Sequence, residues 1–130
     1  MNIQIDSESE IATIDVGEVS EISEFKTTIE ALLAHPDFVD GMDAIIDYSR
    51  CDFSALSTED LKSIARFLVP HLPRLPKRIS LVVERDLEYG VARMYGVYAE
   101  EIAPRERRIF RDIDAAREWF LSNKQPLTHK

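Results

Sequence analysis

The side chains best able to do chemistry cluster just after two apolar runs. Asp47-Tyr48-Ser49-Arg50 closes the run Met42–Tyr48, and Glu84-Arg85 follows Ile79–Val83. Asp47 and Glu84 could act as a general acid/base pair. The commoner role of a carboxylate in this place is to accept the N–H groups of the following turn. Arg111 and Asp112 hold the equivalent position after Arg108–Phe110. The four tyrosines are Tyr48 and, in one later stretch, Tyr89, Tyr95 and Tyr98, with Arg93 and Met94 among them. Tyr89 and Arg93 are spaced to share one flank of a helix. With Tyr48 they are expected to form an aromatic wall closed by a permanent cation, suited to an apolar small molecule or lipid with an acidic head. The alternative role for Arg93 is to pair with Asp47 or Glu84.

Other chemistries find little support. His35, His71 and His129 are not spaced with each other or with Cys51 as metal ligands are, so no metal site is expected. His35 and His71 sit at helix ends, where a cation suits the dipole. Cys51 has no histidine arranged to activate it and reads as a small packing residue. The chain has no GxSxG, no GxGxxG and no P-loop, and no cofactor is expected. Gly90 and Gly96, on one helical stretch, read as sites of close helix packing.

The elements that position these residues alternate. Met1–Asp6 and Glu10–Val16 read as strands joined by a turn at Ser7-Glu8-Ser9. Ser20 is the expected cap of a first helix reaching Ala34. Met42–Tyr48 is a strand. Ser57-Thr58-Glu59-Asp60 opens a second helix with a capping-box pattern, and Pro70 should kink or end it. Arg78–Glu84 is a strand, and Asp86 caps a third helix to about Ile102. Its inward stripe is expected at Leu87, Val91, Met94/Tyr95, Tyr98 and Ile102. Arg107–Arg111 is a last strand, and Asp112 caps a fourth helix, Ile113–Leu121, with Ala116, Trp119 and Phe120 inward. The alternation predicts an α/β domain with a mostly parallel sheet of about five strands and four helices. One domain covers residues 1–122, and 123–130 form a C-terminal tail.

The chain carries 24 acidic and 16 basic residues in 130, a net charge of −8. Residues 1–60 hold 15 acidic and two basic residues (−13), leaving nine acidic and 14 basic (+5) in 61–130. Either the halves interleave and neutralise each other, or they make an acidic and a basic face suited to a partner or to a second copy in a homodimer. Nucleic-acid binding is not expected, because the basic residues are scattered and the total charge repels phosphate. No run approaches the length of a membrane span, and Met1–Asp6 has no basic region or apolar signal core. With a single cysteine, a cytoplasmic protein is expected.

Several segments resemble the SpoIIAA-like proteins of the broader STAS grouping. They are His35-Pro36-Asp37-Phe38, Ile45-Ile46-Asp47-Tyr48-Ser49, Tyr89-Gly90-x-Ala92-Arg93-Met94, and Ile109-Phe110 with Ala116-x-x-Trp119. The resemblance, over about residues 10 to 122, implies a SpoIIAA-like βα superhelix whose first strand is antiparallel at an edge. The grouping includes anti-sigma-factor antagonists, in which a serine at the start of the second helix is phosphorylated within an Asp-Ser-Ser-Gly-like motif. Ser57 stands at that position here, without the Asp and Gly. The grouping also includes lipid-binding domains. Together these readings point to a non-enzymatic cytoplasmic regulatory module acting through an unidentified protein partner. The alternative is a binder of an apolar small molecule or lipid. The expected site comprises Asp47, Tyr48, Ser49, Arg50, Tyr89 and Arg93, with Ser57 as a phosphorylation site.

Overall fold

The computed structural model describes residues 1–122; the expected tail, 123–130, lies outside the described residues. Five strands form one sheet whose spatial order follows chain order: β1 (Asn2–Asp6), β2 (Ile11–Asp15), β3 (Asp43–Asp47), β4 (Arg78–Val82) and β5 (Glu106–Phe110). β1 pairs antiparallel with β2, and every later pairing is parallel. The hairpin closes through Glu10 in the left-handed region, φ 60°. Gly17 adopts φ +90° just after β2, a conformation an L side chain resists.

The parallel pairs are bridged by α1 (Ile22–Ala34), α2 (Thr58–Leu68) and α3 (Asp86–Ile102). Right-handed crossovers that always step the same way along a sheet leave their helices on one face. Ala12, Ile14, Ala44, Ile46, Ile79 and Leu81 accordingly pack in one core with Phe25, Leu32, Ile64, Leu68 and Ala92. The alternate residues Ile11, Ile45 and Val82 point the other way, against Ala116, Trp119 and Phe120 of α4 (Ile113–Ser122). The buried Ser80 hydroxyl donates to the Ala116 carbonyl at 3.2 Å, tying α4 to β4. Arg78 adds a second tie. It is paired with Asp43 at 2.6 Å, both little exposed, and its guanidinium lies 5.1 Å from the Phe120 ring centre.

The caps hold two corrections. α1 is capped by Glu21, not Ser20: the Glu21 and Glu24 side chains satisfy each other's backbone N–H groups. α3 has Arg85 at its cap without a side-chain bond, and Asp86 lies in the first turn paired with Arg111 at 2.9 Å. Ser57 and Asp112 cap as expected, Ser57 accepting from the Asp60 N–H and Asp112 from the Ala115 N–H. At Pro70 the α-helix gives way to a 3-10 segment, Val69–Arg74.

The rotation of α3 also differs from expectation. Its buried residues are Glu88, Ala92 and Ala99, while Leu87, Met94 and Ile102 are exposed. Small alanines let the helix approach the sheet, and Glu88 is satisfied by polar partners there, so the largest apolar side chains do not mark the inner face. Neither Gly90 nor Gly96 mediates close packing, since a Cβ at either would meet nothing within 4 Å.

Candidate functional site

The carboxyl ends of β2, β3 and β4 deliver the expected residues into a set of turns. Asp47 Oδ1 accepts the Ser49 N–H at 2.9 Å, so this pair builds the turn after β3. No hydrogen bond or ion pair joins Asp47 to Glu84 among the described residues. Arg50 reaches Asp15 at 3.1 Å in an exposed ion pair that fastens the loop to β2. Tyr48 turns inward. Its ring meets Phe25 at 5.9 Å and Phe53 at 5.5 Å, edge to face, and burial pushes its phenol far above the ordinary range. Cys51 is buried, its thiol donating to the Gly17 carbonyl at 3.2 Å. Burial, with Asp47 and Asp15 nearby, pushes that thiol up to about 11. It is therefore a poor nucleophile at neutral pH. Ser57 is occupied in a reciprocal capping box with Asp60, at 3.0 and 2.9 Å.

Glu88 was not singled out by the sequence, yet it is the most buried acid, with 2% of its surface exposed. Its carboxylate accepts the Phe53 N–H at 3.0 Å and two bonds from Arg85, at 3.0 and 2.7 Å. Arg85 also donates to the Cys51 carbonyl. The β3–α2 loop is thus latched to the first turn of α3. The available signal was positional: Glu88 stands four residues before Ala92, on the line continued by Tyr95 and Ala99.

The expected wall of Tyr48, Tyr89 and Arg93 is not assembled. Tyr48 belongs to the ring cluster under the helices. Tyr89 lies beneath the Arg111 guanidinium, 4.6 Å from its ring centre. Arg93 points to a different feature, an open groove of about 450 Å³ between α3 and β5. Leu81, Ala92, Gly96 and Ile109 give this groove an apolar floor, with Val97, Glu100 and Arg107 also lining it. Arg93 makes neither of its expected pairs, with Asp47 or Glu84, and no other ion pair among the described residues. Arg107 donates through Nη2 to the Ala103 carbonyl, and its guanidinium also lies against the Tyr95 hydroxyl. The groove arises because β5 is the last strand of the sheet and α3 leans toward α2, leaving β5 partly uncovered.

No family model matches this chain, and no curated protein matches it at a significant level. Among solved structures it is similar to an uncharacterized protein of the DUF3478 family with a SpoIIAA-like fold, from Shewanella loihica PV-4. The TM-score is 0.55 at 20% identity, over 92% of this chain and 90% of that one. The fold is SpoIIAA-like. The mostly parallel sheet and the antiparallel edge strand agree with it. No helix among the described residues is long and apolar enough to cross a membrane.

Proposed function

We propose that this chain is a non-enzymatic regulatory module of the cytoplasm that works by protein contact through the outer face of α3. One observation carries the reading. Leu87, Met94 and Val97 are 50%, 45% and 67% exposed and share one side of a single helix. Scattered exposed apolar residues are ordinary, but a row on one helix face marks a contact surface. Among the strand-end residues, Asp47 builds a turn, Arg50 and Arg85 hold ion pairs, and Tyr48 packs among rings. The test is a photo-crosslinking amino acid at Val97 of the full chain in cells, with one at Glu118 as control. A protein adduct is expected from Val97 alone, and no adduct from either position ends the reading.

A second reading rests on the groove itself, where Arg93 and Arg107 border an apolar floor. A small amphiphile could place an acidic head at Arg107 and Arg93 and its apolar part along Leu81 and Ile109. Native mass spectrometry of protein taken directly from cells decides it. An added mass that disappears in Arg107→Met supports this reading, and an unmodified protein of bare chain mass removes it.

A further inference from the structure

A chain of net charge −8 repels its own copies except where its surface is locally balanced. The stretch 86–110, from the start of α3 to the end of β5, is such a place, with four basic and five acidic residues. Its outer surface also carries features that match themselves. Val97 projects beside a groove that Gly96 leaves open. Arg93 and Glu100 line the same groove on the same side of α3, and neither makes an ion pair among the described residues. They are seven residues apart, roughly 10 Å along the axis, and do not pair with each other. Across a two-fold axis passing between Gly96 and Val97, Arg93 of one copy stands opposite Glu100 of the other, and the reverse pair forms at the same time. A two-fold contact requires this kind of self-complementary patch.

We infer that the α3–β5 face is a self-association site, with α3 of two copies crossing antiparallel at Gly96 and Val97. Each Val97 faces the other copy's groove, and two Arg93–Glu100 pairs flank the crossing. This deepens the protein-contact reading by naming the partner as a second copy of this chain. Because the flanking pairs are solvent-facing, the association is weak and salt-sensitive.

The test is light scattering on the full chain across a range of concentrations at low and high salt. At low salt the mass is expected to climb from 14.9 kDa toward twice that value, and to fall back as salt is raised. Arg93→Glu and Glu100→Arg should each weaken association about tenfold, by turning both flanking attractions into repulsions. The two changes together restore it, and Val97→Asp abolishes it. These positions are exposed except at the groove, and circular dichroism should show all four variants folded. A chain that stays monomeric at roughly 1 mM overturns the inference. So does a dimer whose double variant is no better than the singles. The broader reading fails separately: a monomeric chain that still forms a Val97 adduct with a different protein in cells loses only the second copy as partner.

Discussion

Glu88 shows how a buried charge is tolerated when its neighbours are arranged for it. Three N–H donors, one from the Phe53 backbone and two from Arg85, surround its carboxylate. Removing it strands the Phe53 N–H in a dry site. Glu88→Ala is therefore expected to lower the free energy of urea unfolding by about 2 kcal/mol and to speed hydrogen exchange at Phe53. Cys51 gives a second prediction. Ellman's reagent should react slowly with the native chain and promptly once it is unfolded. The folded thiol's pKa, about 11, lies above its ordinary 9.0, so the unfolded chain loses this proton first as pH rises. The stabilisation is complete below about pH 9 and is lost as the pH climbs toward 11. The urea midpoint should fall across that window, and fall less in Cys51→Ala. At this scale the sequence read well where a role is local. The Asp47 turn and the Ser57 cap follow from a few neighbouring residues. Glu88 and the groove were out of reach, because the Phe53 N–H that Glu88 accepts lies 35 residues earlier and the groove is built jointly by α3 and β5.

α3 is the element in which pattern and packing part company. Its apolar residues wrap most of the helix, so periodicity alone could not say which side faces the sheet. Ala92 and Ala99 decide it, since small side chains allow the close approach. The two glycines then stand in an ordinary helix with open space beside them, and their flexibility is only a cost. Gly90→Ala and Gly96→Ala should each raise stability by about 1 kcal/mol in thermal or urea unfolding. In contrast, Ser57→Ala should cost α2 about 1 kcal/mol by removing its cap, whereas Ser57→Asp keeps a capping side chain and the fold. The boundaries of α2 and α4 were legible because their cap residues are adjacent to their apolar runs. The α1 boundary slipped by one residue because Glu21 performs a task more often given to serine.

For the whole molecule, the governing fact is that sheet order repeats chain order. A charge imbalance along the sequence therefore becomes an imbalance across the sheet. The acidic first half supplies β1, β2, α1 and β3, and the second half meets it where Arg74 pairs with Asp40, Arg78 pairs with Asp43 and α4 covers Ile11 and Ile45. Composition alone could not choose between the two arrangements, because the choice depends on strand order. The second face of the sheet is closed by α4 through Trp119, Phe120 and the Arg78–Asp43 pair. Asp43→Ala is expected to cost about 3 kcal/mol in urea unfolding, because it leaves the Arg78 charge unpaired at a site where it is little exposed.

The position of α4 has a consequence for the nascent chain. The ribosome delivers all five strands and the three crossover helices before it delivers the helix that covers Ile11, Ile45 and Val82. One side of the sheet is therefore finished while the other is still bare, and the exposed side is the sort of apolar surface that chaperones hold or that neighbouring chains stick to. A chain stopped at Asp112 should bind the dye ANS strongly and aggregate, whereas supplying 113–122 as a separate peptide should suppress both. The arrival of α4 is thus the step that makes the domain safe in a crowded cell.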